Sequence, residues 1–174
     1  YIYPKAGYPP GIVSQESFIK VCKNLATAHA LAYRQIKEWD KKSVTDFGPS
    51  YVGVIVDLID YQPYDRKKRK DVEAARSHWY LFNEWFLNAI FRGEFDMDAD
   101  GVTEKDGVFP ELARSCDYLG VNYYMRLLAK SGKSGFLLLK GGTVQSKGSQ
   151  TDMGWGVYPP GIRHVVTWAY RRYM

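Results

Sequence analysis

The chain has 174 residues, of which 45% are apolar and 16% aromatic, enough for one ordinary domain with a buried core. Its net charge of +5 comes largely from one basic run, Arg66 to Lys70, rather than from the broad basic and aromatic surface of a nucleic-acid-binding protein. Two cysteines without a CxxC pair predict a cytoplasmic location, and no apolar run approaches the about 18 residues of a membrane span.

The first half of the chain predicts a helix, a strand and a second helix. Apolar residues recur at three- and four-residue steps from about Ser17 to Trp39, which is typical of a helix, and Ser14 is its predicted N-cap. The continuous apolar run from Tyr51 to Pro63 is rich in β-branched residues and predicts one strand covered on both faces. A helical pattern then extends from about Lys70 to Phe91.

The second half predicts another strand, from Cys116 to Lys130, a long loop over 131–150 and a final helix from about Pro160 to Tyr173. Alternating buried strands and amphipathic helices indicate βαβ units and a parallel sheet, either open or closed into a barrel. No Gly-rich phosphate turn follows a strand, so a nucleotide-binding sheet is not supported. Two strands alone would both be sheet edges, which are association sites.

Polar residues at the end of the second predicted strand are the first candidates for chemistry. In parallel barrels the reactive side chains lie at the carboxyl ends of strands. Asn122, Tyr123 and Tyr124 occupy this position, and their amide and phenol groups suit sugar hydroxyls or a carboxylate. A structural role for these tyrosines is the competing interpretation, because amphipathic aromatic residues commonly pack at strand ends.

Four segments together identify a family. They are YPPG followed by a helix with Ala28-His29-Ala30, then FNEWFLNAIFRGEF, DYLGVNYYMR and TDMGWGVYPPGI. In this order they resemble glycoside hydrolase family 1, the β-glucosidase and β-galactosidase family, and are most similar to its archaeal β-glycosidases. The resemblance covers nearly the whole chain. Its most specific parts are the Asn-Tyr-Tyr strand end and the Asp-Met-Gly-Trp stretch.

The resemblance implies part of a (β/α)8 TIM barrel, with residues 1–174 as one partial domain that extends from helix four to helix six and includes strands five and six. Enzymes of this family hydrolyse β-glucosides and β-galactosides with retention, using two glutamates about 5 Å apart. The family strings that hold them, Thr-Asn-Glu-Pro and Thr-Glu-Asn-Gly, do not occur here. We therefore expect both glutamates to lie outside this chain, just before Tyr1 and after Met174, and the isolated chain to be inactive.

The resemblance also implies roles for four residues. Tyr124 matches the family tyrosine that hydrogen-bonds the nucleophile, and Asn122 matches the asparagine that lines the sugar subsite near the acid/base. Trp155 matches a tryptophan of the aglycone wall, with Met153 beside it. The sequence departs from the family at Gly156, which replaces an acidic residue, and at Pro160, which replaces a glutamate between Pro and Gly.

An Asn-Glu pair, Asn83-Glu84, resembles a catalytic motif only superficially. Trp85 follows it where the catalytic motif has proline, and the pair lies in the predicted second helix, on the outer ring of a barrel. We expect Glu84 to be a polar residue on the exposed or inter-subunit side of that helix.

The family implies no cofactor, but an acidic segment offers calcium as an alternative. Asp96, Asp98 and Asp100 alternate as oxygen ligands do in a calcium loop, and Glu104 follows at the ninth position. Gly107 stands where the bidentate glutamate of such a loop belongs. A solvated acidic turn is the competing interpretation.

The expected partners are a β-linked oligosaccharide or an aryl or alkyl glycoside, the remaining barrel segments and a second copy in a homo-oligomer, with neither nucleic acid nor membrane. The sequence leaves glucose or galactose preference open. Two alternatives to an enzyme also stay open: a non-catalytic carbohydrate-binding or assembly half-barrel, and a calcium-stabilised interaction domain. Activity on a nitrophenyl glycoside distinguishes the enzyme from the half-barrel.

Overall fold

The structure is a computed structural model that describes residues 9, 11–41, 48–133, 136 and 139–174. The chain divides into two compact units. The first comprises Tyr1–Val54 and Phe86–Gly120, and the second comprises Ile55–Trp85 and Val121–Met174. No helix in the described ranges is both long and apolar enough to cross a membrane.

The helices and strands follow the predicted alternation, with additional breaks. The helices are α1 (Gln15–Trp39), α2 (Arg69–Trp79), α3 (Trp85–Arg92) and α4 (Pro160–Tyr173), with a π-helical turn at Tyr80–Glu84 and a 3-10 turn at Lys105–Gly107. The strands are β1 (Gly53–Asp57), β2 (Asp60–Pro63), β3 (Tyr118–Asn122), β4 (Arg126–Ser131) and β5 (Gly141–Gln145).

Helix α1 begins as predicted but buries a different face. The Ser14 Oγ accepts a hydrogen bond from the Ser17 backbone N–H at 3.1 Å, which confirms the N-cap. The buried residues are the small Ala26 and Ala30. Larger members of the predicted apolar stripe remain exposed, and Trp39 keeps 82% of its surface accessible. Most of the larger residues of this stripe are therefore uncovered in the described part of the chain.

In the first unit, α1 is anchored by Asp117, the residue before β3. Its carboxylate accepts from the Tyr33 hydroxyl at 2.7 Å and from the Val52 N–H at 2.8 Å, and it pairs with the Lys37 ammonium at 2.5 Å. Desolvation alone would raise the pKa of Asp117, but the donors from Lys37, Val52 and Tyr33 outweigh it and lower that pKa. One carboxylate thus ties the helix to the start of the strand.

The single strand predicted over 51–63 is two strands, β1 and β2, because a side chain replaces the strand partner at the break. The Asn83 amide accepts from the Ile59 N–H at 3.2 Å and donates to the Ile59 carbonyl at 2.9 Å. Both backbone groups of Ile59 are satisfied without a neighbouring strand, so the extended ladder ends there. The strand predicted over 116–130 is similarly divided into β3 and β4.

The described strands form two sheets. β1 pairs with β3, and β2, β4 and β5 form a three-stranded sheet in that order. β2 and β4 run parallel, from Asp60 opposite Arg126 to Pro63 opposite Ala129, as the alternation of strands and helices predicts. The small residues Ala74, Ala75 and Ala129 form a buried cluster between α2 and this sheet.

β5 lies antiparallel to β4 and occupies part of the segment predicted as a loop. That prediction is wrong for 141–145. The segment is rich in Gly, Ser and Lys, which does not predict a strand, and β5 pairs with β4 almost entirely through backbone hydrogen bonds. Gly141 has φ 159°, and a side chain there would collide with the Lys130 carbonyl. The close approach of β5 to β4 therefore requires glycine at this position.

The predicted second helix is real but consists of α2, the π-helical turn and α3. Glu84 ends the π-helical turn, and 18% of its side chain is exposed. Its carboxylate pairs with Arg172 of α4 at 2.9 Å. Glu84 is thus half-buried rather than fully exposed, because α4 returns to the same part of the second unit and supplies a cation for it, and its place on an inter-subunit side stays a prediction. The final helix, α4, begins at Pro160 as predicted.

Candidate active site

The candidate site begins where β3 ends. Asn122 is the last residue of β3 and is exposed, and its carbonyl accepts from the Leu58 N–H at 2.9 Å. Tyr124 follows two residues later, with 48% of its surface accessible. The backbone of the strand end is thus fixed by a neighbouring segment, while an amide and a phenol face solvent and are available to a ligand.

A second segment brings Trp155 to Tyr124. Their ring centroids are 5.2 Å apart at an angle of 59°, a tilted aromatic contact. Thr151 shapes this segment, since its N–H donates to the Trp155 carbonyl at 2.9 Å and its hydroxyl accepts from the Trp155 N–H at 3.2 Å. Met153 lies in the same turn and is 71% exposed. Among the four predicted site residues, Tyr124 and Trp155 are therefore in contact, and Asn122 and Met153 are exposed in the same unit.

Gln145, at the end of β5, holds the residue after Trp155. Its side-chain oxygen accepts from the Gly156 N–H at 3.2 Å, and its amide nitrogen lies 3.4 Å from the Met125 sulfur. Gly156 is buried, and an added Cβ would lie 2.5 Å from the Ser146 hydroxyl. The glycine that departs from the family pattern thus fits a packed position in which this loop leaves no room for an acidic side chain.

Tyr123 is half-buried and, with Tyr158, Arg126 and Gly161, forms a set of contacts at the start of α4 that we call the Tyr123 clasp. Its hydroxyl donates to the Tyr158 carbonyl at 2.8 Å. The Arg126 guanidinium lies 3.7 Å from the centre of the Tyr158 ring, a close cation–π contact. A side chain at Gly161 would collide with the Tyr123 hydroxyl. These contacts fix the strand end that carries Asn122 and Tyr124 relative to α4.

A buried carboxylate, that of Asp60, lies close enough to Tyr123 for its charge to act on the phenol. Asp60 is fully buried, and its two oxygens accept from His164 Nδ1 and from the Gln62 amide, each at 2.7 Å. Burial and then the negative charge of Asp60 raise the pKa of Tyr123 to about 12. Tyr123 consequently remains a neutral phenol that donates its proton at physiological pH.

Sequence reasoning did not find the Asp60–His164 pair or the Tyr123 clasp. Asp60 and His164 are separated by 104 residues, and no periodic pattern links them. The available signals were a carboxylate inside the predicted strand over 51–63 and a histidine in the first turns of a later helix. Such signals become specific only when the topology places the two residues side by side.

The acidic loop is organised by its own backbone. Asp96 is buried, and one of its oxygens accepts from the Gly101 N–H at 2.8 Å. Asp98 and Asp100 each accept from the backbone N–H two residues later, at 3.3 and 2.8 Å. A hydrogen bond with Asp96, followed by desolvation, raises the pKa of Asp98. These contacts describe a turn that satisfies its own N–H groups.

The structure does not complete a calcium loop. Oxygens of Asp96, Asp98 and Asp100 lie within 4.8 Å of one another, whereas Glu104 is not part of this group. Gly107 occupies the position of the bidentate ligand, at a point where it lies close to Phe95. The Phe95 N–H donates to the Gly107 carbonyl at 2.8 Å, and an added Cβ at Gly107 would lie 2.6 Å from the Phe95 carbonyl oxygen. Close packing against Phe95 thus explains why glycine, and not the glutamate of a calcium loop, stands at position 107.

Comparison with known sequences gives matches over the whole chain. The family described as Glycosyl hydrolase family 1 matches residues 1–174. The β-galactosidase of Saccharolobus solfataricus is 33% identical over 99% of this chain, and that of Pyrococcus woesei is 30% identical over 98%. The chain spans about a third of the length of these relatives, 34% and 37% respectively.

Comparison with solved structures finds similar folds among β-glycosidases. The β-glycosidase from Pyrococcus horikoshii has a TM-score of 0.78 and 29% identity, with 98% of this chain and 36% of that chain covered. A β-glucosidase from Exiguobacterium marinum has a TM-score of 0.81 at 19% identity, with 99% and 39% covered, and this likeness concerns the fold alone.

Proposed function

The chain belongs to glycosyl hydrolase family 1, as the sequence predicted, and we propose that it is the middle part of a retaining β-glycosidase acting on β-glucosides or β-galactosides. The family consists of TIM barrels that need no cofactor. Relatives named β-galactosidase and β-glucosidase support the substrate class. The acidic loop is a structural turn in this proposal, and calcium has no part in it.

We assign the chain to helix four through helix six of the barrel, as one partial domain. In this assignment α1 is helix four, β1 is strand five and β3 is strand six. The π-helical turn joins α2 and α3 into helix five, and α4 is helix six. The exposed apolar residues of α1, including Leu25, Ile36 and Trp39, support the remaining barrel segments as the first partner.

The proposed reaction is a double displacement by two glutamates that this chain does not supply. One glutamate acts as acid and base, and the other attacks the anomeric carbon to form a covalent glycosyl-enzyme, which water then hydrolyses. Tyr124 donates a hydrogen bond to the nucleophile and keeps it ionised, because a donor favours the charged form of a carboxylate. Asn122 binds a sugar hydroxyl near the acid/base.

Trp155 and Met153 form the aglycone wall in this proposal. Trp155 offers a flat apolar face against Tyr124, and Met153 offers an adaptable, exposed side chain in the next turn. These side chains suit an aryl or alkyl group and a second sugar, which explains why both types of glycoside are proposed substrates.

The contact between Tyr124 and Trp155 is the observation that carries the assignment of the site. The two residues come from separate segments that the resemblance matches independently, and their rings lie 5.2 Å apart in this structure. Two unpaired cysteines, Cys22 and Cys116, further support a reducing, cytoplasmic environment.

The test is hydrolysis of nitrophenyl β-glucoside and β-galactoside by a chimera in which this chain replaces the matching segment of the Saccharolobus solfataricus β-galactosidase. We expect activity from the chimera and none from the isolated chain. Tyr124→Phe should lower kcat and shift the acidic limb of the pH profile, since the nucleophile loses a donor. Tyr118→Phe is the matched control, because Tyr118 is 47% exposed and lies at the other end of β3.

An inactive but folded chimera would favour the carbohydrate-binding half-barrel instead. Equal effects of Tyr124→Phe and Tyr118→Phe on kcat and on the pH profile would contradict the role of Tyr124. Hydrolysis by the isolated chain would contradict the assignment of both glutamates to segments outside it.

A further inference from the structure

The second unit contains a basic cavity away from the candidate active site. It has a volume of about 550 Å³, opens to solvent and lies between the first turns of α2 and the far end of the β4–β5 hairpin. The described residues of its lining are Lys68, Lys70, Glu73, Ser131, Gly132, Lys133 and Lys140. Four of these seven residues are lysines and one is a glutamate, which makes the cavity strongly positive.

Local ion pairs neutralise only part of this charge. Lys68 lies 3.3 Å from the Asp71 carboxylate, so its charge is matched within the first turn of α2. Glu73, the acidic lining residue, is paired with Arg69 at 2.9 Å. Three lysines of the lining stand outside these two pairs and are exposed: Lys70, Lys133 and Lys140.

Buried hydrogen bonds hold the two walls of the cavity together. The Asp71 carboxylate accepts from the Ser131 N–H at 2.9 Å, which joins α2 to the end of β4. The Ser77 hydroxyl accepts from the Lys140 N–H at 3.1 Å, which joins the same helix to the start of β5. Asp71 and Ser77 are both buried, so Lys70 and Lys140 are presented by a folded framework.

We propose that this cavity binds a compact, multiply charged phosphate compound, such as a polyphosphate or a bisphosphorylated small molecule. Lysine ammonium groups are point charges that bind phosphate oxygens from several directions. None of the described lining residues is aromatic, so the cavity lacks the stacking surface that a nucleobase or a sugar ring prefers. The first turn of α2 adds partial positive charge on the same side.

The cavity is separate from the proposed glycosidase site. β4 runs from Arg126, two residues after Tyr124, to Ser131 in the lining, a distance of about 17 Å over five residue-to-residue steps of an extended strand. Binding at the cavity therefore does not depend on the proposed reaction, and its test does not require activity.

The experiment is calorimetric titration of the 174-residue chain with tripolyphosphate, pyrophosphate and orthophosphate at about 0.15 M salt, where exposed single charges are largely screened. We expect affinity to rise from orthophosphate to tripolyphosphate. The double variant Lys70→Gln/Lys140→Gln should weaken tripolyphosphate binding about tenfold or more, the factor expected when about 1.4 kcal/mol of binding free energy is lost. These lysines are exposed, so the variant should fold normally, and its thermal midpoint checks this.

The matched control is Lys20→Gln/Lys105→Gln, which removes the same charge from exposed positions in the first unit. It should change the affinity less than about twofold, because those lysines lie outside the cavity. Equal weakening by both double variants would overturn the proposal in favour of attraction by net charge, and so would the absence of saturable binding. An oligonucleotide that displaced tripolyphosphate at lower concentration would overturn the small-molecule assignment.

Discussion

Asp117 in the first unit and Asp60 in the second are both carboxylates that gather donors from distant parts of the chain. Asp117 receives Tyr33, Lys37 and the Val52 N–H, and so anchors a long helix to the start of β3. Asp60, the first residue of β2, accepts hydrogen bonds from His164 and Gln62, and its charge acts on the nearby Tyr123.

Asp117 and Asp60 differ in their burial and in the segments that they join. Asp117 keeps 19% of its side chain exposed and fixes the position of α1. Asp60 is fully buried and joins the start of β2 to α4 through its bond with His164. We predict that Asp117 contributes to stability alone, whereas Asp60 also contributes to the geometry of the proposed site, and substitutions at the two positions should separate these contributions.

The largest expected effect is that of Asp60→Ala. Its removal deletes two hydrogen bonds to a fully buried carboxylate, and we expect a loss of about 2 to 3 kcal/mol in the free energy of unfolding. Urea unfolding followed by tryptophan fluorescence measures it. Asp60→Asn is the control that retains an acceptor oxygen and should lose less. An Asp60→Ala protein as stable as the parent would contradict a buried anchoring role.

Asp117→Ala should cost less, about 1 to 2 kcal/mol, because this anchor is partly exposed and water replaces some of its bonds. The same unfolding measurement applies. In the active chimera, Asp117→Ala should leave kcat unchanged, whereas Asp60→Ala should lower it. If both substitutions lowered kcat to the same extent, the distinction between the two anchors would be lost.

Tyr123→Phe removes one hydrogen bond and should cost about 1 kcal/mol of stability. Its effect on the chimera should be a drop in kcat of about tenfold, because a small displacement of Tyr124 misaligns its bond to the nucleophile. The pH profile should keep its shape, since Tyr124 itself is retained. A shifted acidic limb would assign to Tyr123 the role that we propose for Tyr124.

The smallest expected effect concerns acid stability at Asp71. The Ser131 side chain and N–H, followed by Lys68, lower the pKa of Asp71 from 3.8 to about 2. A lowered pKa stabilises the folded state fully above pH 3.8, and this contribution is lost as the pH falls towards 2. Thermal midpoints from pH 6 to pH 2 should fall less steeply for Asp71→Asn than for the parent. Parallel curves would contradict the contribution of this carboxylate.

The sequence predicts the long periodic elements well and the interruptions poorly. The apolar spacing locates α1 and α4 to within a few residues, because helical periodicity is a strong local signal. It does not predict the break between β1 and β2, since that break depends on one amide, Asn83, from a later helix. β5 was missed for a related reason: its pairing is carried by backbone and by a close approach at Gly141.

The candidate site also contains some residues that the sequence predicts and others that it does not. Family resemblance named Asn122, Tyr124 and Trp155, and the contact between the last two was then found in the structure. The supporting residues Asp60 and His164 are linked only by the fold. Local patterns and motifs thus predict elements and exposed functional groups, whereas side chains that bridge distant segments require the three-dimensional arrangement.

The most direct test of the central claim is to trap the covalent intermediate in the chimera with a 2-fluoro glycoside that carries a good leaving group. Retention through a glycosyl-enzyme predicts one stable adduct per chain. Peptide mass analysis should locate that adduct on a glutamate of the flanking segments, outside residues 1–174, and Tyr124→Phe should slow its formation. An adduct on a carboxylate within residues 1–174, such as Glu84, would contradict the account.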